Sequence, residues 1–171
     1  AFFCGVVFSL SLLYVILPED LSYKLFRDQI EEINAIRGRA TFADTFQVIL
    51  LNNIGVLFLS FLFSFLFGAG AIFILTWNAS VLATAIGSIA RTIGGIKALP
   101  VAVLPFLPHG SLEILAYFIG GVAGGIISVA ISKRKSRFFH RVIIDSLKLF
   151  GLACCLIIIA AFIETGMIVI R

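Results

Sequence analysis

Residues 107–125 read LPHGSLEILAYFIGGVAGG, and this stretch decides the fold class. It places His109 and Glu113 four residues apart, directly behind Pro108, and then continues as an apolar run with paired glycines. An apolar helix of about 20 residues crosses the hydrocarbon core of a bilayer, and residues 111–131 reach that length. The stretch therefore predicts a membrane-spanning helix that begins among polar groups.

The composition of the whole chain also indicates a membrane protein. Of its 171 residues, 61% are hydrophobic and 13% are charged, and the mean hydropathy is +1.15. A soluble domain of this size has too little interior to bury so much apolar surface. The net charge of +4 sits in the connections between apolar runs, so it indicates membrane topology and anionic lipid rather than nucleic acid.

Apolar runs of spanning length predict an all-α, polytopic transmembrane helix bundle that forms a single domain. The first run lacks a basic leader and a small-residue cleavage site, so it is interpreted as a shortened transmembrane helix and not as a signal peptide. The five predicted spans cover residues 1–17, 46–67, 71–90, 111–131 and 147–170.

Two connections have a character of their own. Apolar residues recur at helical spacing within residues 20–40, among charged ones, which predicts an outer amphipathic helix that lies in the interface or caps the bundle. Residues 92–108 carry Gly94, Gly95 and three prolines, which argues against a continuous helix. We expect them to form a re-entrant or surface-lying segment, with Gly110 permitting the turn into the next span.

The distribution of basic residues predicts the orientation. Basic loops remain in the cytoplasm, and the 132–146 loop holds the densest basic run. The amino end is then cytoplasmic as well, whereas residues 18–45, residues 92–108 and the carboxyl end lie outside. The run serves as a topology signal or binds lipid headgroups. Its basic residues are Lys133, Arg134, Lys135, Arg137 and Arg141.

Polar side chains inside the predicted spans fall at a common depth. At 1.5 Å per residue, those of spans two, four and five all lie in the outer third of the bilayer, so one intramembrane cluster is expected there. Asn78, in span three, falls nearer the inner half. The expected cluster consists of Asn52, Asn53, His109, Glu113 and Glu164.

The cluster has two interpretations that the sequence leaves open. Its hydrogen bonds would hold the helices in register, or its ionisable groups would form a functional site, as such groups usually do inside membranes. The H-x-x-x-E spacing of His109 and Glu113 is a weak metal signal, so no metal is predicted. The zinc-protease, Walker and nucleophile-elbow patterns are absent, so no enzyme activity is expected.

Two overlapping G-x-x-x-G registers follow on span four. Small residues at this spacing let helices approach closely. The packing partner would be another helix of the chain or a second copy, which makes a homodimer one alternative. The registers comprise Gly120, Gly121, Gly124 and Gly125.

The chain resembles the stage II sporulation protein M family over nearly its whole length. The resemblance rests on the Pro-His-Gly-x-x-Glu box (residues 108–113), the Asn52-Asn53 pair, Asn78 in WNASVLATAIG and Glu164 in AAFIETG. Ala79 departs from the glycine that commonly follows the asparagine in this family. The resemblance implies an all-helical polytopic membrane protein, and no cofactor is predicted. The namesake of the family helps assemble membrane-tethered peptidoglycan hydrolases, and the family as a whole implies no particular activity.

Two functions follow as hypotheses. The first is a non-enzymatic membrane scaffold or assembly protein whose partners are the lipid bilayer and other membrane or envelope proteins. The second is a small channel or transporter that moves an ion, a proton or a lipid headgroup through the polar cluster.

Overall fold

The structure, a computed structural model, describes residues 1–36, 41–132 and 139–169, with the side chain of Ile36 left aside. All regular elements in these ranges are helical, which confirms the all-α membrane bundle. The α-helices are α1 (Phe2–Ile16), α2 (Glu19–Leu25), α3 (Arg27–Ile36), α4 (Phe42–Phe67), α5 (Ala71–Ile93), α6 (Leu99–Val103), α7 (Leu107–Ser132) and α8 (Phe139–Val169), and 3-10 turns cover Gly95–Ala98 and Leu104–Phe106.

Four helical stretches among the described residues are long and apolar enough to cross a membrane: Phe42–Phe67, Ala71–Ile93, Gly95–Ser132 and Phe139–Val169. They contain the predicted spans 46–67, 71–90 and 111–131 and residues 147–169 of the last one, whose residue 170 lies outside the described residues. The remaining apolar helix, α1, has 15 residues, fewer than the roughly 20 that a straight crossing takes. The fifth span and the single domain therefore stay predictions.

The chain divides into two compact units, of which one comprises residues 41–75 and 108–171. In this unit α4 packs between α7 and α8. Leu57 and Phe61 of α4 lie against Gly120 and Gly124 of α7 in ascending order, so α4 and α7 are parallel. In contrast, α8 is antiparallel to α4, because the Phe46 and Phe61 rings contact those of Phe162 and Phe150 at 4.4 and 4.8 Å between centroids.

The tight connection between α4 and α5 belongs to the same unit. Gly68 ends α4 with a φ of 70°, a left-handed conformation that glycine adopts without steric cost. Its N–H donates to the Ser64 carbonyl at 2.9 Å. The Ser64 hydroxyl in turn accepts from the Ala71 N–H at 3.4 Å, so this serine joins the end of one helix to the start of the next.

The other unit comprises residues 1–40 and 76–107. Its core forms where α1 meets the carboxyl half of α5 and the short helices after it. Ile86, Ala90, Leu99 and Ala102 are buried there, against partly buried residues that include Val15. Close approach of α1 to α5 depends on Gly87, where an added Cβ would lie 2.8 Å from the Cβ of Tyr14.

The stretch 92–108 differs from the expected irregular segment. It is helical from Gly95 onward, with 3-10 turns on either side of α6. Pro100 and Pro105 each stand in the first turn of a short helix, where the missing proline N–H has no intrahelical acceptor to lose. The prolines thus restart the helix instead of ending it. Whether the stretch is re-entrant or lies at the surface stays a prediction.

The turn into the box at residues 108–113 also differs from the expectation. Gly110 lies within α7 and does not have a positive φ, whereas Gly95 does, at 68°. The chain therefore changes direction at Gly95, well before Pro108.

The predicted amphipathic helix at 20–40 is two helices, α2 and α3, that meet at Phe26. Phe26 is buried and packs edge-on against Tyr14 at 5.2 Å between ring centroids. Two polar contacts attach α3 to α5: Gln29 Nε2 donates to Ser80 Oγ at 3.2 Å, and Trp77 Nε1 donates to Glu32 Oε2 at 2.8 Å. The helix pair is thus fixed to its own unit, as a cap would be.

Candidate functional site

The strongest contact of the candidate site joins α4 to α7. Asn53 Nδ2 donates to Glu113 Oε1 at 2.7 Å, a short bond of the kind that a charged or strongly polar acceptor makes. Asn53 is only 6% exposed. Glu113 is half-buried, and a carboxyl group that is withdrawn from water carries a desolvation cost unless it is hydrogen-bonded. The Asn53 amide supplies that hydrogen bond, which apolar side chains cannot.

The same carboxyl group contacts α8. The side chains of Glu113 and Glu164 lie close enough to interact electrostatically. On the far side of the pair, His109 Nε2 lies 4.0 Å from Glu164 Oε1, and His109 is buried.

The packing of the three helices explains why these groups meet. His109 and Glu113 lie on one face of α7 because they are four residues apart. The parallel packing of α4 brings Asn53 level with Glu113, and the return of the chain through α8 brings Glu164 level with His109. We refer to Asn53, His109, Glu113 and Glu164 as the polar cluster.

The other predicted polar residues lie beside the cluster or elsewhere. Asn52 is half-buried, and its Nδ2 donates to Asn53 Oδ1 at 3.4 Å, which orients the amide that serves Glu113. Pro108 occupies the first turn of α7. Asn78 lies in the other compact unit, half-buried within an unbroken α5.

The paired glycines have their packing partners inside the chain. A Cβ on Gly120 or Gly124 would collide with Leu57 or with the Phe61 carbonyl, and one on Gly121 would lie 3.0 Å from the Ala71 Cβ. Glycine at these positions therefore allows α7 to lie directly on α4. The G-x-x-x-G registers serve contacts within the chain, so they do not support a homodimer.

Most of the predicted basic run falls outside the described residues, namely Lys133, Arg134, Lys135 and Arg137. Arg141 lies in the first turn of α8 and is exposed. Lys148, two turns further along α8, pairs with Asp145 at 3.2 Å.

Sequence reasoning missed a second polar centre, in the other unit. Arg91 Nη2 contacts the carbonyl oxygens of Tyr14 and Leu17 and lies 2.8 Å from both Leu17 O and Ser22 Oγ. Its guanidinium also stands 4.7 Å from the centre of the Tyr14 ring. These carbonyl groups lie at the carboxyl end of α1, where the helix has no following N–H groups to donate hydrogen bonds to them. The sequence offered one signal for this centre. Arg91 follows the third predicted span, on the side of the membrane where the acid-rich residues 18–45 are expected.

Among the described residues, no group of three or more His, Cys, Asp or Glu side chains is placed to hold a metal ion. The arrangement of the cluster can do two things chemically. It can lock three helices together through paired polar groups, or it can take up and release a proton at the carboxyl pair.

Comparison with known proteins is informative at the level of the family. The sequence model described as stage II sporulation protein M matches residues 1–167. An uncharacterized protein of Methanocaldococcus jannaschii is 36% identical over 124 residues, which is 70% of this chain and 68% of that protein. No solved structure matches the chain.

Proposed function

Because this chain belongs to the stage II sporulation protein M family, we propose that it is a non-enzymatic membrane scaffold that assembles other envelope proteins. The chain is an integral membrane protein with several long apolar helices. The proposal assigns the polar cluster a structural role. It assigns partner binding to the surface of the unit formed by residues 1–40 and 76–107.

One observation carries the structural role of the cluster. Its groups lie against each other across three helices: Asn53 donates to Glu113 at 2.7 Å, and Glu164 lies between Glu113 and His109. Polar groups that are paired in this way stabilise helix association in membranes. A scaffold needs such rigidity because its partners must meet a surface of constant shape.

The surface that we assign to partners is α2. Leu21, Tyr23 and Leu25 are 47%, 55% and 62% exposed, and they stand beside exposed Glu19 and Asp20. Exposed apolar side chains rimmed by charges are typical of protein interaction surfaces. Since Arg91 and Phe26 anchor this helix from beneath, it would be presented in a fixed orientation.

We also propose an orientation, with the amino end and the 132–146 loop in the cytoplasm and the carboxyl end outside. The concentration of Lys and Arg in that loop supports it. In a chain that crosses the membrane alternately, the second and fourth spans run in the same direction and the fifth runs in the opposite one. The parallel α4 and α7 and the antiparallel α8 are compatible with this order.

A photo-crosslinking experiment in the native cells tests the scaffold role. A photoreactive amino acid is placed at Tyr23 on α2 and, as the matched control, at Phe73, which is 77% exposed on an apolar helix. We expect discrete protein adducts from position 23 that disappear with Leu25→Glu, and none from position 73. The same adduct pattern from both positions would contradict the assigned surface.

A channel or transporter is the second candidate, and one observation favours it. His109, Glu164 and Glu113 form a connected row of ionisable groups inside spanning helices, and such groups often mark proton or ion paths. Protein in liposomes would then dissipate an imposed proton or potassium gradient. Flux that Glu113→Gln abolishes without unfolding the protein would favour transport, whereas gradients retained by the wild type would exclude it.

A further inference from the structure

A groove on the outside of the unit formed by residues 41–75 and 108–171 is not used by the scaffold proposal. It has a volume of about 570 Å³ and lies between the second half of α7, the start of α8 and the α4–α5 connection. This volume is in the range of sites that hold a small molecule. Val122, Val129, Phe139 and Val142 form its sides.

Two glycines make the groove concave. Gly125 and Gly68 line it. They are neighbours, because an added Cβ on Gly125 would lie 3.6 Å from the Gly68 carbonyl oxygen. Val122 and Val129 flank this floor and are 55% and 56% exposed. Because they are seven residues apart on one helix face, the groove runs along α7 for about 10 Å.

The chemistry of the lining selects an apolar occupant. Every lining residue is apolar, and the helices that carry them are long and apolar enough to cross a membrane. A polar solute would lose its hydration there without gaining hydrogen bonds. An extended hydrocarbon chain matches both the shape and the composition.

Charge is concentrated at one end of the groove. That end lies where α7 finishes and α8 starts, since Ala130 and Phe139 belong to it. Arg141 is exposed one residue from Val142. The nearby acid, Asp145, is paired with Lys148 at 3.2 Å. Among the described residues no acid pairs with Arg141, so an anionic group held at this end would meet its positive charge.

We propose that the groove binds an anionic phospholipid, with one acyl chain along Val122, Gly125 and Val129 and the phosphate against Arg141. This site is independent of the scaffold role and of the polar cluster. It would give the protein a preference for membranes rich in anionic lipid and would fix one lipid molecule against α7 and α8.

Native mass spectrometry of the detergent-purified protein tests this site. The probes are phosphatidylglycerol and phosphatidylcholine with identical acyl chains, supplied at equal concentration. We expect the wild type to retain one phosphatidylglycerol in preference to phosphatidylcholine. Arg141→Gln should reduce that preference about fivefold, the factor that one basic residue contributes at an anionic surface. Lys97→Gln, which removes an exposed basic residue in the other compact unit, should leave it unchanged.

The apolar half of the site has its own pair of variants. Val129→Trp fills the groove and should remove retention of both lipids, and Val122→Trp should do the same. Leu152→Trp replaces a residue that is 50% exposed on α8 and does not line the groove, so it should retain lipid as the wild type does. A melting curve for each variant establishes that it is folded.

Three results would overturn the proposal. Equal retention of the two lipids by the wild type would remove the charge selectivity. Unchanged retention in folded Val129→Trp and Val122→Trp would place the lipid outside the groove. Displacement of the lipid by soluble glycerol phosphate at matched concentration would mean that the headgroup alone is recognised.

Discussion

At the scale of single residues, the hydrogen bond from Asn53 to Glu113 is the contact on which the polar cluster depends. Asn53→Leu removes the amide donor and leaves the half-buried Glu113 carboxyl without it. We expect a loss of about 1–2 kcal/mol in the free energy of unfolding. Reversible unfolding in mixed micelles measures this change.

The neighbouring residue provides the control for this prediction. Asn52 is half-buried and makes a longer bond of 3.4 Å, to Asn53. Asn52→Leu should therefore cost less than about 0.5 kcal/mol. Equal losses from the two variants would mean that Glu113 does not depend on Asn53.

Residue spacing predicted which polar groups share a depth, but not which of them touch. Counting along apolar runs placed Asn53, Glu113 and Glu164 in one layer, because helical rise is uniform. The count carries no information on rotation about each helix axis. Asn53 rather than Asn52 faces Glu113 because the glycines of α7 fix how that helix lies on α4.

At the scale of elements, the parallel packing of α4 and α7 depends on Gly124. A Cβ at this position would collide with the backbone of Phe61, which cannot move without bending α4. We expect Gly124→Ala to cost about 1–3 kcal/mol. Gly151→Ala, on α8, meets no atom within 4 Å and should be neutral or slightly stabilising. Similar melting temperatures for the two variants would refute the close approach.

Arg91 strengthens the attachment of α1 to α2, which the Ser22 hydroxyl also joins by donating to the Tyr14 carbonyl oxygen at 3.0 Å. Arg91→Gln loses the guanidinium contacts with Leu17 and Ser22 and exposes the end of α1 to local opening. We expect amide hydrogen exchange in residues 12–24 to rise at least tenfold, as about 2 kcal/mol of local stability is lost. Thr92→Val, which removes only a bond within α5 to Ser88, should leave exchange unchanged. Unchanged exchange in Arg91→Gln would rule out this anchoring.

The boundaries of the helices were predictable where an apolar run alone determines them. They were less predictable where a proline can either end or start a helix. The start of α5 at Ala71 follows from its apolar run and the preceding glycines. Pro100 and Pro105, in contrast, were expected to break a helix and instead each start one. A proline is compatible with both outcomes, and the deciding factor is the helical geometry of the residue before it.

At the scale of the whole molecule, the proposed orientation predicts which side of the membrane each connection faces. In a variant without native cysteines, Tyr23→Cys and Ser132→Cys supply exposed thiols that the proposed orientation puts on opposite sides of the membrane. A membrane-impermeant thiol reagent applied to intact cells should label position 23 and spare position 132 until the cells are opened. The reverse pattern would show that the basic loop faces outward.

The membrane class follows from the composition of the chain, and the family follows from a few polar residues set in apolar surroundings. The division into two compact units was not predictable, because nothing in the apolar pattern of α5 marks the change near Thr76. That division depends on side-chain shape, such as Gly87 against Tyr14, which composition does not encode.

The central claim is that the polar cluster holds helices together, and a double-mutant cycle on Asn53 and Glu113 tests it most directly. Asn53→Leu, Glu113→Leu and the double variant are unfolded reversibly in mixed micelles, and the free energies of unfolding are compared. We predict a coupling energy of about 1 kcal/mol or more, because either single change removes the same bond. Losses that add within about 0.3 kcal/mol would contradict the claim.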